Sequence, residues 1–352
     1  MKKYLTITIL AVLFLSLYSY YDISIEDLGD IGTITGAATG LPEQEIIEET
    51  IETTDNQNTN EAIQVTFCPT QNCEETLLNF INEATTTLHC AFYDIGLESV
   101  QDALRNQAER IEVQVVTDDE YYDKFSEDFV KEDGYAYMHN KFCISDNNKV
   151  LTGSMNPTDN GANKNDNNLL IINSENLATA FEAEFQELWN GVFKKGNPNA
   201  ISISLNDITI ESYFCPDDDC ANAVEEEIKE AKGSIYFMTF SFTHEGIANN
   251  ILVQHELNEL DIKGVFESRM NSQYSKFEVF DYQGIEVRKD GNPNSMHHKV
   301  FIIDQETVIT GSMNPSNNGI DNNDETLLII HSSDIAKQFT EEFNRVWAEA
   351  EE

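Results

Sequence analysis

Cations are what this sequence has least of. Its 352 residues carry 21 Lys and Arg against 63 Asp and Glu, a formal net charge of −42. Binding an extended polyanion by broad charge neutralisation needs clustered Lys and Arg. That class of basic nucleic-acid binder is excluded, and any phosphate must be held by a small local cationic site. Such an excess of carboxylate fits a salt-adapted surface, where screening removes the mutual repulsion of hydrated acids. It fits a merely acidic protein equally well. A small-x-small cleavage pattern is also missing after the apolar run that follows Lys2 and Lys3, since Ser16 to Tyr21 reads Ser-Leu-Tyr-Ser-Tyr-Tyr. No cysteine precedes Cys68 to accept a lipid. The run itself, Tyr4 to about Tyr21, sits at the lower limit of a bilayer-spanning helix, roughly 17–25 residues. Residues 1–21 therefore read as a signal anchor in preference to a cleaved signal peptide.

From Asp22 to about Ala62 the composition turns to Thr, Asn, Gln, Gly and Glu with few aromatics. Eleven acidic residues against Lys2 and Lys3 give residues 1–62 a net −9 and leave −33 for the rest. Such a stretch cannot bury enough apolar surface to offset its ordering entropy, so residues 22–62 are expected to be a disordered acidic linker. The remaining chain, in a protein with 40% hydrophobic residues, is long enough to bury a real core in two domains.

That remainder is a tandem duplication. Phe67-Cys68-Pro69 with Cys73 recurs 147 residues later as Phe214-Cys215-Pro216 with Cys220. Met138-His139-Asn140-Lys141 returns as Met296-His297-His298-Lys299 at an offset of 158. At that same offset Thr152-Gly153-Ser154-Met155-Asn156-Pro157 returns as Thr310-Gly311-Ser312-Met313-Asn314-Pro315, and Phe181, Phe185 and Trp189 return as Phe339, Phe343 and Trp347. The register shifts by an insertion of about eleven residues between the early and late parts of the unit. The two halves are set at 63–195 and 196–352.

Each half reads as alternating helix and strand. Helical spacing over Glu74–Ala84 and Ala223–Ala231 precedes strand-like runs at Thr87–Tyr93 and Ser234–Phe242. Helices are expected near Val100–Ala108 and Ile247–Leu257, then strands at Glu112–Thr117 and Ile262–Glu267. A hairpin runs out over His139–Ser145 or His297–Ile303, turns at Asp146–Lys149 or Asp304–Thr307, and returns over Val150–Thr152 or Val308–Thr310. A further strand, Leu169–Ile172 or Leu327–Ile330, and an amphipathic helix carrying the Phe and Trp residues as core packing close each unit. The fold class is α/β: two halves, each a mixed sheet covered by helices.

Residues two apart on a strand share a face, so His139 pairs with Lys141 and His297 with Lys299, while His298 turns away and is read as structural. Each His-x-Lys is followed by Asp five residues after the Lys, Asp146 or Asp304, and by Gly-Ser-x-Asn seven residues beyond that Asp. Imidazole serves as nucleophile, acid and base near neutral pH. Lys141 and Lys299 suit the non-bridging oxygens of a phosphodiester, where charge builds in the transition state. Asn156 and Asn314, with Ser154 and Ser312, are expected to add phosphate donors from the returning strand after Gly153 and Gly311. Asp146 and Asp304 lie at turns away from the His-Lys face and are read as structural.

This doubled HxKxxxxD pattern with its trailing GSxN resembles the phospholipase D superfamily over about residues 64–349. The resemblance implies two halves related by a pseudo-twofold axis, both motifs meeting in one active site at their interface, and no metal or other cofactor. It also implies a phosphohistidine intermediate formed by one His while the other works as general acid and base. Twenty-one residues beyond each motif Asp the halves differ, Asn167 in the first and Glu325 in the second. The resemblance makes these supports for the His of the opposite half. A carboxylate on the far ring nitrogen suits a cationic phosphoimidazolium and an amide suits a shuttle near ambient pH. His139 is accordingly expected to be the nucleophile and His297 the acid and base.

Cys68 with Cys73 and Cys215 with Cys220 close small loops at helix entrances, which suits disulfides in an oxidising compartment better than zinc. Cys90 and Cys143 become Phe237 and Phe301 together in the second half, so they are expected to touch across adjacent strands as a disulfide or as buried thiols. The expected protein is a monomeric phosphodiesterase, membrane-anchored on the extracytoplasmic side or secreted, with phospholipid as first-choice substrate. A nuclease and a catalytically silent surface-binding protein are the alternatives.

Overall fold

The computed structural model describes residues 54–55, 62–270 and 272–351. The apolar N-terminal run and most of the acidic stretch lie outside the described residues. Among those described, no helix is long and apolar enough to cross a membrane. Residues Thr50–Glu352 form one compact unit containing both halves of the duplication.

The first half is built from β2 (Ile63–Cys68), α1 (Cys73–Glu83), β3 (Thr87–Phe92), α2 (Glu98–Ala108), β4 (Glu112–Thr117), β5 (Val130–Glu132), β6 (Lys141–Ser145), β7 (Lys149–Gly153), α3 (Asp159–Asn163), β8 (Asn167–Asn173) and α4 (Glu175–Trp189). Its sheet has the order β2-β8-β7-β6-β3-β4-β5. β3, β4 and β5 are mutually parallel and the remaining neighbours antiparallel. The second half repeats this with β10 (Ile208–Cys215), α5 (Cys220–Glu230), β11 (Ser234–Thr239), α6 (Glu245–Asn258), β12 (Asp261–Phe266), α7 (Phe277–Tyr282), β13 (Glu286–Lys289), β14 (Lys299–Ile303), β15 (Thr307–Gly311), α8 (Asn317–Asp321), β16 (Glu325–His331) and α9 (Ser333–Glu349). β9 (Ile201–Leu205) extends this sheet beyond β10, and β1 (Thr54–Asp55) pairs parallel with Ser204–Leu205 at its edge. Two residues of the acidic stretch thus belong to a sheet, because β9 offers an open edge for main-chain pairing. The shift in repeat register falls mainly between β12 and β14, where the second half carries α7.

The sequence pattern missed β2 and β10, the first strand of each half. They pair antiparallel along the edges of β8 and β16, with Cys68 opposite Asn167 and Cys215 opposite Glu325. On one side of each sheet a core forms under α1 and α2, or under α5, α6 and α7. On the other side α4 and α9 bury their apolar stripes in a core shared by both halves. Phe181 of α4 packs edge-on against Phe214 of β10 at 5.1 Å, and Phe339 of α9 against Phe67 of β2 at 5.0 Å. Each closing helix therefore meets the first strand of the other half, and the aromatics of the repeat are core. A fully buried Phe ring is worth about 1.5–3 kcal/mol over an exposed one, so this exchange joins the halves firmly.

Asp146 and Asp304 hold the hairpin turns to the strand entrances. The Asp146 carboxylate accepts from the amides of Thr85, Thr86 and Thr87 and from the hydroxyls of Thr85 and Thr86. Asp304 accepts from the amides of Lys232, Gly233 and Ser234. Burial works to raise the Asp146 pKa, but the Thr86 hydroxyl and the three amides outweigh it and bring it to about 2.

Three disulfides are present, Cys68–Cys73, Cys90–Cys143 and Cys215–Cys220. Cys90 and Cys143 face each other across β3 and β6, as Phe237 and Phe301 do across β11 and β14. The Cys90–Cys143 bridge spans 53 residues, a loop whose closure entropy is worth roughly 4 kcal/mol. Replacing both cysteines by alanine is expected to lower unfolding stability by about 2–5 kcal/mol, read as a lower urea midpoint. An unchanged midpoint would mean that the bridge adds nothing to the packed strands.

Candidate active site

The two motifs meet where the halves touch. Met138 bridges Asp324 and Asp166 bridges Met296, each across the interface. The amide of His139 donates to the carbonyl of Asp324 at 2.9 Å, and that of His297 to the carbonyl of Asp166 at 2.8 Å. Here the structure departs from the expected hairpin, because β6 and β14 begin at Lys141 and Lys299, two residues after each histidine. The histidine amides bond to the opposite half instead of continuing their own sheet, and that fixes each imidazole at the interface.

The two imidazoles meet unlike partners. Nδ1 of His139 lies 2.8 Å from both carboxylate oxygens of Glu325. Nδ1 of His297 lies 2.9 Å from Oδ1 of Asn167 and 3.1 Å from the carbonyl of Ser154. The Asn167 amide is oriented by its own donation from Nδ2 to the Gly161 carbonyl at 2.9 Å. Its oxygen therefore faces the ring, so Nδ1 of His297 is the protonated nitrogen and Nε2 is left free.

Lys141 and Lys299 fold back to donate to the carbonyls of His139 and His297 at 2.6 and 2.8 Å. All four side chains are close enough for their charges to act on one another. Burial first, then the charges of Lys141 and Lys299, hold both histidines well below their ordinary pKa. Burial pushes Lys141 down to about 7, against the pull of Glu325, Asp118 and Asp94. Burial likewise lowers Lys299, aided by the charge of Lys141. Glu325 moves the other way, to about 7, because burial outweighs Lys141, Ser312, Asn323 and Lys299.

Ser154 and Ser312 do not offer their hydroxyls to a ligand as expected. Both are fully buried. The Ser154 hydroxyl donates to Asn167 at 2.9 Å and accepts from the Asn168 amide, while that of Ser312 accepts from the Thr326 amide and bonds to Glu325. They brace the groups that brace the histidines. Asn156 and Asn314 are half-buried, and each leaves Oδ1 buried with no hydrogen-bond partner among the described residues. Gly153 and Gly311 adopt φ of +144° and +138°, and a Cβ there would stand 2.3 and 2.2 Å from the carbonyls of Asn168 and Thr326. Glycine is required for the returning strand to lie that close to β8 and β16.

His298 is fully buried on the other face, between Asn168 at 3.1 Å and Glu342 at 3.2 Å. Two residues that sequence reasoning missed line the site. His139 packs edge-on against Tyr93 at 4.9 Å and His297 against Phe240 at 4.6 Å, with Lys141 and Lys299 over the same rings. Tyr93 and Phe240 stand at the repeat offset of 147, which was the available signal, but the residues differ. Tyr137 stacks on His139 at 5.9 Å and also contacts Tyr93, their hydroxyls 3.3 Å apart.

A duplicated α/β fold with paired His-Lys motifs at a pseudo-twofold interface defines a class of protein, and comparison with known sequences agrees with it. The family described as the phospholipase D-like domain of cardiolipin synthase matches residues 77–189 and 224–347, once in each half. The chain belongs to this phospholipase D-like family. It is 31% identical to the mitochondrial cardiolipin hydrolase of Homo sapiens over 118 residues, 33% of this chain and 46% of that protein. It is 26% identical to the phospholipase D of Rickettsia prowazekii (strain Madrid E) over 143 residues, 40% of this chain and 69% of that one. The chain spans about half the length of the cardiolipin hydrolases it matches. The crystal structure of phosphatidylserine synthase from Haemophilus influenzae shares the fold, with a TM-score of 0.62 at 13% identity over 82% of this chain and 88% of that one.

Proposed function

We propose that this protein is a phosphodiesterase of the phospholipase D type that cleaves phospholipids through a phosphohistidine on His139. The observation that carries the reading is the unlike pair of Nδ1 partners, Glu325 on His139 and Asn167 on His297. In the reaction, Nε2 of neutral His139 attacks phosphorus and the bond to the leaving oxygen breaks. The bound anion offsets the charges of Lys141 and Lys299, which restores a proton to Nε2 of His297. That proton passes to the leaving oxygen. His297, now neutral, takes a proton from water, the resulting hydroxide attacks phosphorus, and the P–N bond breaks to free His139. Lys141 and Lys299 stabilise the non-bridging oxygens. Asn156 and Asn314 can add donors to the same oxygens only through Nδ2, since the Oδ1 that each leaves unpaired is an acceptor.

Phospholipid is favoured because the two relatives above are a cardiolipin hydrolase and a phospholipase D. Charge favours it too, since a net −33 surrounds a pit with two lysines, which suits a compact anionic headgroup better than a long polyanion. The three disulfides support a location outside the cytosol, where an oxidising environment keeps such bridges closed. The apolar N-terminal run anchors it there as a monomer, since one chain supplies both motifs. The test compares cardiolipin and phosphatidylcholine vesicles with single- and double-stranded DNA and RNA, at low and high salt. Turnover of vesicles at both salts is expected. Cleavage of nucleic acid in preference to lipid would make it a nuclease, and no cleavage of any phosphodiester would make the paired motifs a binding site.

A further inference from the structure

The pseudo-twofold exposes a place where one half holds a cation and the other lacks one. In the second half Arg345 of α9 binds two buried carboxylates. Its Nε donates to Oε2 of Glu342 at 2.9 Å, and its Nη2 donates to Oε1 of Glu342 at 2.6 Å and to Oδ1 of Asp166, from the first half, at 2.5 Å. At the repeat offset of 158 the equivalents are Glu184 for Glu342, Asp324 for Asp166, and Glu187 for Arg345. The buried acids are kept and the guanidinium is replaced by a third acid. Asp217, from the loop between β10 and α5, adds a fourth.

Three of these carboxylates converge, and the remaining one, Asp324, is close enough for its charge to act on Glu184. One oxygen each from Glu184, Glu187 and Asp217 lie within 4.8 Å of one another. A Cβ built on Gly196 would fall 1.7 Å from Oε2 of Glu187 and 2.6 Å from Oδ2 of Asp217, so both carboxylates close in on the same stretch of backbone. Glu184 is 5% exposed and makes no hydrogen bond or ion pair among the described residues; Asp324 is 2% exposed and its Oδ2 has no partner. The amides of Lys194, Gly196 and Asn197 each take one carboxylate, those of Asp324, Asp217 and Glu187. No lysine or arginine side chain forms an ion pair with the four acids among the described residues, although Lys194 acts on Asp324 from further away. Asp218 and Asp133 add more negative charge from neighbouring segments. Burial, reinforced by this repulsion, pushes Glu184 well above its ordinary pKa and Asp324 to about 7.

We propose that Glu184, Glu187, Asp217 and Asp324 bind a calcium ion in the place that the Arg345 guanidinium occupies in the other half. The donors are all carboxylate oxygens from separate segments, which suits the flexible oxygen coordination of Ca²⁺, whereas Mg²⁺ demands near-octahedral geometry and Zn²⁺ favours nitrogen and sulfur. The ion would steady the active site, because the carbonyl of Asp324 receives the His139 amide and the next residue is Glu325.

The test titrates CaCl₂ into chelator-treated full-length protein by calorimetry and follows the melting temperature in parallel. Glu187→Arg recreates the second half's arrangement, Glu184→Gln removes a buried ligand with little change in shape, and Glu109→Arg makes the same charge change at an exposed residue after α2. Wild type and E109R should bind one calcium per chain and melt several degrees higher with it. E184Q should lose at least tenfold in affinity. E187R should bind none at the site and melt independently of calcium. Absence of binding in wild type, or the same isotherm in wild type, E184Q and E187R, would overturn the proposal, the latter by showing surface screening alone. These readouts do not involve turnover, so they stand apart from the test of phosphodiesterase activity.

Discussion

Incubated with bis(p-nitrophenyl) phosphate, the His297→Asn enzyme should release one equivalent of nitrophenol and retain phosphorus on His139. His139→Asn should form no adduct and lose about 10⁴-fold or more in turnover. Nitrophenolate departs without a proton, so the first step survives loss of the acid. The second step does not, because water then has no base to activate it. The direction follows from the two Nδ1 partners. Attack converts the nucleophilic imidazole into a cation, and a buried carboxylate 2.8 Å away stabilises that cation where an amide oxygen cannot. Peptide mass spectrometry reads the site of the adduct. Phosphorus on His297 in the His139→Asn enzyme would reverse the assignment, and an adduct on neither would remove the covalent intermediate.

Much of this site was legible because duplication turns spacing into evidence. His139, Lys141, Asn167 and their partners recur at one offset, so their placement in the two halves could be read without any knowledge of contacts. What spacing could not supply was the direction of each side chain relative to the other half. Ser154 and Ser312 stand beside the asparagines in sequence, yet their hydroxyls turn to Asn167 and Glu325, since those β8 and β16 side chains are the nearest buried acceptors. Tyr93 and Phe240 differ in identity, and their role depends on a lysine folding back over a ring, which no linear pattern records. Glu184 falls by helical spacing on the buried stripe of α4 with Leu177, Phe181 and Leu188, and Glu187 lies beside it. Linear spacing does not show that Asp217 and Asp324 of the second half meet this stripe, and only comparison with Arg345 shows that a counter-charge is missing. The first strands β2 and β10 were marked by their cysteines as repeat landmarks, but their place beside β8 and β16 is set by long-range pairing.

The Glu325→Gln enzyme should lose about 10²–10⁴-fold in kcat and lose the acidic limb of its pH profile. In the wild type two groups titrate near pH 7 in opposite senses. Below about 7 Glu325 takes up a proton, and His139 loses the charge that stabilises its phosphorylated form. Above about 7 Lys141 gives up its proton, and the non-bridging oxygens lose a cation. A bell-shaped kcat/KM profile near neutrality follows, with apparent values that belong to the coupled cluster. Glutamine keeps the shape and most of the bonding but cannot ionise, so only the alkaline limb should remain. Stability should move the other way. The folded-state pKa of Glu325 lies above its ordinary value, so its contribution to stability is full below the unfolded pKa and declines as pH rises towards about 7. At pH 8 the Gln variant should therefore melt no lower than wild type while turning over far more slowly. A variant that melts lower and keeps the acidic limb would make Glu325 a structural residue and leave the nucleophile unassigned.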